Sequence, residues 1–166
     1  MAKEIKPGYT DTPIEGVSAL TFPRGLVNIK QDFRVKSNTG KEVVLTNITS
    51  PIDRPENIRL AYTEVANIYN GTGIEPSLFA PSKRGVSILA QITNTQSVTD
   101  STDAEFRTDQ PMSAHLVIKA ASSEYVTSEQ VEALVGRLLS SLFDTGSTGR
   151  ARLEAILRGS LVPSEL

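Results

Sequence analysis

The chain has 166 residues, a mass of 17.9 kDa and a formal net charge of −2, with no Cys and a single His. Without Cys there is no disulfide scaffold, thiolate metal site or thiol nucleophile, and one histidine, His115, excludes a two-histidine metal site. Near-neutral charge argues against indiscriminate nucleic-acid binding, which scales with the number of phosphates neutralised. The longest apolar runs, such as Leu116-Val117-Ile118, fall far short of the roughly 20 residues that cross a bilayer. Residues 1–20 carry Lys3, Glu4, Lys6, Asp11 and Glu15 and no apolar h-region. The expectation is a soluble protein made in a cytoplasm, with no signal peptide and no membrane partner. Size scaling gives one domain with a folded surface near ~8,000 Å², about 69% of the unfolded chain's surface being buried. Leu, Ile, Val and Phe number 45, which predicts a packed core. The 16 Thr and 17 Ser, beside only 5% aromatics, predict strands with one polar face.

Residues 1–30 hold Pro7, Gly8, Pro13, Gly16, Pro23 and Gly25 around a short apolar stretch, Val17 to Leu20, and read as an extended arm. Residues 31–166 read as a single domain. It opens on two β-rich runs around Ser37-Asn38-Thr39-Gly40, a hairpin over 32–48. A connection with Pro51 and Pro55 leads to a strand over 57–69, with Ile58, Leu60 and Tyr62 on one side and Arg59, Thr63 and Asn67 on the other. After a loop with Gly71, Gly73, Pro76 and Pro81 comes a strand over 85–97. Its apolar face is Val86, Ile88, Ala90 and Ile92, and its polar face is Ser87, Gln91, Thr93 and Thr95. Residues 98–109, with three Asp and one Glu against Arg107, read as an acidic solvated loop of net −3. The strand over 112–121 sets Ala114, Leu116, Ile118 and Ala120 against Ser113, His115, Val117 and Lys119.

Beyond Tyr125 the period changes from 2 to 3.6. Thr127 and Gln130 form a capping box at the start of a helix over 128–144. Val131, Leu134, Val135, Leu138, Leu139, Leu142 and Phe143 make one wide apolar stripe along it. Gly146-Ser-Thr-Gly149 precedes a second helix over 148–158, with Leu153, Ile156 and Leu157 inward and Gly159 as its C-terminal cap. Strands followed by helices make the α+β class: an antiparallel sheet of about five to seven strands with two C-terminal helices on one face.

Catalytic chemistry has little to rest on. Gly71-Thr-Gly73 and Gly146-Ser-Thr-Gly149 lack the Lys-Ser/Thr of a phosphate loop, and no Gly-x-Ser-x-Gly accompanies His115. Asp100, Asp103 and Glu105 do not match Ca²⁺-loop spacing. No cofactor and no metal is expected. The polar sheet face is either the wet side of the sheet or a platform whose hydroxyls and amides bond bases and 2′-OH groups. On such a platform His115 stacks, and Arg59 and Lys119 meet phosphate. Periodicity does not choose between these.

The block from Lys83 to Phe143 resembles the coat proteins of small single-stranded RNA bacteriophages. The resemblance is carried by Lys83-Arg-Gly-Val-Ser-Ile-Leu-Ala-Gln-Ile-Thr-Asn, the long polar loop, and Met112-Ser-Ala-His-Leu-Val-Ile-Lys-Ala-Ala. The junction Tyr125-Val-Thr-Ser-Glu-Gln then leads into the helix ending Gly-Arg-Leu-Leu-Ser-Ser-Leu-Phe. Leu153-Glu-Ala-Ile-Leu-Arg-Gly fits the family's second helix. About half the chain is covered well and the hairpin loosely; order and spacing of elements, rather than one motif, carry the likeness.

The resemblance implies an intertwined homodimer whose sheets join edge to edge and whose helices lie partly over the partner's sheet. It implies further an icosahedral shell in a virion, assembled in the host bacterial cytoplasm. There the polar face would bind the single-stranded RNA genome and an RNA hairpin, repressing replicase translation. Carried over, the RNA-binding residues are Arg59, Thr63, Asn67, Ser87, Gln91, Thr93, His115 and Lys119, with His115 about where relatives place a base-stacking aromatic. Val131, Leu134, Val135, Leu138, Leu139 and Leu142 form the dimer interface, more apolar surface than a thin sheet covers alone. Thr95–Asp109 corresponds to the flexible loop at five-fold and quasi-six-fold contacts. The chain departs from the family in being longer before the hairpin and around 70–83, and in carrying only Arg59 and Lys119 as fixed charges on the RNA face. The rival reading is a small cytoplasmic α+β enzyme or ligand-binding domain centred on His115.

Overall fold

A computed structural model describes residues 26–80, 82–103, 105–143 and 150–160. These fall into two compact units, Arg24–Ser123 and the segment from Glu124 onward. Of the arm expected over 1–30, residues 1–25 lie outside the described residues; its end forms a short helix α1, Ile29–Asp32.

The first unit is a five-stranded antiparallel meander in the order β1-β2-β3-β4-β5. β1 (Phe33–Asn38) and β2 (Glu42–Asn47) form the expected hairpin. Gly40 closes it at φ +81, a backbone state that glycine adopts without strain, and Asn38 Oδ1 accepts from Gly40 N–H at 2.9 Å. A register shift between Val35 and Ser37 makes Lys36 a bulge on this edge strand.

β3 (Asn57–Val65) is shorter than the predicted 57–69. Asn67 ends it through turn chemistry: its side-chain oxygen accepts from Tyr69 N–H at 3.1 Å. The loop that follows carries a one-turn helix α2, Pro76–Phe79. β4 (Gly85–Thr99) and β5 (Arg107–Ala121) pair over all fifteen residues of each. Five residues of the segment read as an acidic loop over 98–109, Val98, Thr99 and Arg107 to Asp109, are therefore strand, and the connection shrinks to residues 100–106. Charges and Pro111 hid the alternation there, because both faces of the projecting hairpin are polar. β3 pairs with β4 only as far as Asn57–Thr93, so the β4–β5 hairpin runs on beyond the sheet as an arm.

One sheet face gathers Leu45, Ile58, Leu60, Ile88, Ile92, Leu116 and Ile118, as alternation predicted. The packed core is smaller than chain length suggested. Among the described residues only Phe33, Leu45 and Ile58 are buried hydrophobics, with Val43 and Ile92 packed against them. Leu60, Tyr62, Ile88 and Met112 on the same face stay exposed.

In the second unit α3 spans Ser128–Ser140 and has the predicted capping box: Thr127 N–H donates to Gln130 Oε1 at 3.0 Å and Gln130 N–H to Thr127 Oγ1 at 3.4 Å. It stops short of 144, with Ser140 and Ser141 hydroxyls donating to the Gly136 and Leu138 carbonyls. Residues 144–149, including Gly146 and Gly149, lie outside the described residues. α4 covers Ala151–Leu157 and ends as predicted on Gly159 (φ +87). Gly159 N–H bonds Ile156 O and Ser160 N–H bonds Ala155 O, both at 2.9 Å.

Candidate nucleic-acid interface

Strand register decides which side chains share a surface, because a one-residue slip would turn every side chain to the other face. Arg59 lies opposite Gln91 and Gln91 opposite His115, so the three form one rung. Thr63, Ser87 and Lys119 form a second rung, and Asn57, Thr93 and Ser113 a third. Seven of the eight residues read from the sequence thus lie on a single face. Asn67 does not, since it sits past the end of β3.

Local hydrogen bonds set the chemistry of this face. Thr46 hydroxyl donates to Asn57 Oδ1 at 2.7 Å, and Asn57 Nδ2 donates to Pro55 O at 3.1 Å. His115, Ser113 and Lys119 are exposed, whereas Ser87, Gln91 and Thr93 are half-buried. A hollow of about 250 Å³ opens beside the third rung, with Thr93, Thr95 and Ser113 between Pro55 and Pro111. Such a surface offers neutral donors and acceptors for base edges and sugar hydroxyls.

Sequence reasoning counted Arg59 as a charge for phosphate. It missed Glu42, from β2, whose Oε2 accepts from Arg59 Nε at 2.8 Å and from Nη2. That pairing lowers the positive charge that the face can offer. Glu42 and Arg59 stand on adjacent strands on one side of the sheet, which the hairpin pattern could have signalled.

A second charged group, also missed, sits toward the outer end of the arm. Arg107 Nη2 is 2.7 Å from Asp109 Oδ2 and 3.0 Å from Asp53 Oδ2, so it ties β5 to the β2–β3 connection; Arg54 also pairs with Asp53, at 2.8 Å. Ser97 hydroxyl donates to Asp109 across the rung. The Arg107 guanidinium, aided by Ser97, holds Asp109 down at about 2, and Arg107 also lowers Asp53. The i, i+2 spacing of Arg107 and Asp109 was the available signal, masked by reading the segment as loop.

Compared with solved structures, the chain matches one from the virus-like particle of bacteriophage AVE015, with 26% identity, a TM-score of 0.81, and coverage of 92% of this chain and 94% of that one. The chain has the coat-protein fold of bacteriophage virus-like particles. A chain from the virus-like particle of bacteriophage GQ-112 shares that fold, with a TM-score of 0.73 at 15% identity over 96% of both chains. No protein-family model and no curated protein matches. The structures sharing this coat-protein fold are particle proteins, structural rather than enzymatic, and the rival enzyme reading around His115 is set aside on that ground.

Proposed function

We propose that this chain is the coat subunit of a bacteriophage, dimerising, closing into an icosahedral shell and packaging single-stranded RNA against its polar sheet face. The observation that carries the reading is the match to a virus-like-particle chain over 92% of the sequence. Edge chemistry supports the dimer. β1 is six residues long, bulged at Lys36 and charged through Arg34, features that blunt an edge strand. β5 is a fifteen-residue edge carrying a single proline, open to a second sheet among the described residues.

Apolar surface supports it as well. On α3, Leu134 and Leu138 are 59% and 53% exposed and Val131, Val135 and Leu139 are half-buried; Leu142, just past its end, is exposed too. On the sheet, Leu60, Tyr62 and Ile88 line an apolar hollow of about 290 Å³ with Val43. In the proposed dimer each copy's α3 stripe covers the other copy's exposed sheet residues, burying surface worth roughly 25 cal/mol per Å².

The RNA contacts in this reading are Thr63, Ser87, Gln91, Thr93, His115 and Lys119, with Arg59 sharing its charge with Glu42. Four neutral polar side chains, His115 and the Lys119 cation on one face suit base readout on a hairpin, the basis for translational repression. The many copies in a shell, rather than high charge on each, retain the genome.

The test is absorbance of nuclease-treated particles from a host expressing the chain alone. With four Tyr and no Trp the protein absorbs weakly at 280 nm. A nuclease-resistant 260 nm peak that travels with the particles is expected; particles with a protein-only spectrum would remove the RNA reading.

A further inference from the structure

The loop between β3 and β4, described over residues 66–80 and 82–84, is tied by hydrogen bonds at its base and its tip. Its base is closed by Ile68 N–H to Lys83 O at 2.9 Å. Its tip is shaped by Glu75, whose carboxylate accepts from Ser77 N–H at 3.2 Å and from the Ser77 hydroxyl at 2.6 Å as α2 begins at Pro76. Yet this ordered tip presents Leu78 and Phe79 to solvent at 74% and 77% exposure, with Ile74 beside them. Exposed cations, Lys83 and Arg84, stand at its base.

The 100–106 turn has the opposite character. It carries Asp100, Asp103 and Glu105, flanked by the exposed apolar Val98 and Phe106. The loop and the turn lie at opposite ends of β4, whose fifteen residues span about 46 Å. Within one chain they do not meet.

Resting on the dimer reading above, we propose that the 66–84 loop is a clasp for a second copy of this chain: Lys83 and Arg84 pair with the second copy's acidic 100–106 turn, while Leu78 and Phe79 cover its Phe106 and Val98. The geometry follows from the β5 edge. An antiparallel β5–β5 pair in full overlap centres on Ala114 and sets Arg107 of one copy opposite Ala121 of the other. The second copy's turn then continues past Ala121. Arg84 is at that end, its carbonyl accepting from Ser122 N–H at 3.0 Å. Two-fold symmetry makes the clasp twice per dimer, joining a basic, apolar loop to an acidic, apolar turn.

Because the chain has no Cys, the contact can be read by cross-linking. A Lys83→Cys, Asp103→Cys double variant of the full chain, oxidised after its shells are dissociated to dimers, should run as a closed dimer on a non-reducing gel, while each single variant runs as monomer. Monomer alone, or a ladder beyond dimer, overturns the clasp. Independently, Lys83→Glu with Arg84→Glu should raise the dimer dissociation constant at least about tenfold. Mixing that variant with one carrying Asp100→Lys, Asp103→Lys and Glu105→Lys should recover association. Wild-type affinity in the first variant, or no recovery in the mixture, overturns the proposal. A wild-type chain that sediments as monomer removes the dimer reading and the clasp with it, whereas a wild-type dimer that fails to cross-link removes the clasp alone.

Discussion

The two edges of the sheet are built in opposite ways. Around β1, β2 and β3 the chain closes its own core: Phe33, Leu45 and Ile58 are buried, and the outer edge is short, bulged and cationic. Toward β4 and β5 the apolar residues are half-covered, the edge is long, and the β4–β5 hairpin runs six residue pairs past the end of β3. The first region satisfies itself; in the proposed dimer the second is finished by another chain. In that reading, one blunted and one open edge restrict pairing to a single direction and favour a closed dimer over a fibre.

The largest effect that should separate the two regions is on folding itself. Phe33→Ala removes the most buried aromatic side chain and should cost about 3–5 kcal/mol in urea unfolding, with the same cost at any protein concentration. Leu138→Ala, on the exposed stripe of α3, should cost on the order of 2–5 kcal/mol in the dimer and little in a dilute, dissociated chain. Equal losses at high and low concentration would erase the distinction between the regions.

Gly85→Ala is next. A Cβ at Gly85 would lie 2.7 Å from Ile68 Cβ and 2.8 Å from the Ala120 carbonyl oxygen, neither of which is the far end of a flexible side chain. A loss of about 1–3 kcal/mol in thermal unfolding is expected, and an unchanged melting temperature would show that the β4 end relaxes freely.

Order in the arm should depend on pH. The native Asp109 carboxyl is held at about 2 by Arg107 and Ser97, below its ordinary 3.8. A depressed carboxylate contributes its stability above the unfolded value, and that contribution is lost as pH falls through 3.8 toward 2. Protection of the amides in 94–99 and 107–110, taken against the intrinsic exchange rate at each pH, should therefore be high at pH 5 and fall over that acid window. Arg107→Ala should abolish the pH dependence, and exchange indifferent to both changes would detach the arm from this charge group.

The smallest effect concerns the polar face. Lys119→Ala should lower the salt dependence of RNA-hairpin binding by about one phosphate contact, with Arg59→Ala changing it less because Glu42 already shares that charge. A larger loss from Arg59→Ala would mean that the Glu42 pair opens on binding.

Much of this was legible in the residues. The alternation over 85–97 and 112–121 and the stripe from Val131 to Phe143 reflect half-buried strands and an amphipathic helix, whose periods survive in the text of the sequence. The rungs that join Arg59 to His115 followed once the strands were aligned. Arg107 to Asp109 read as loop because a hairpin wet on both faces has no polarity contrast to alternate. Asn67 read as strand because alternation continued on paper while its side chain bonded the backbone at Tyr69. Nor does an apolar pattern say which chain buries it: Leu134 and Leu138 look the same in sequence whether covered from within or by a partner.

The central claim is that the open β5 edge joins two chains, which then build a shell. Electron microscopy of particles from the chain expressed alone tests it most directly. The account predicts closed icosahedral shells whose repeating unit is a two-chain sheet continuous across β5; a preparation without shells, or shells in which the β5 edge stays unpaired, would contradict it.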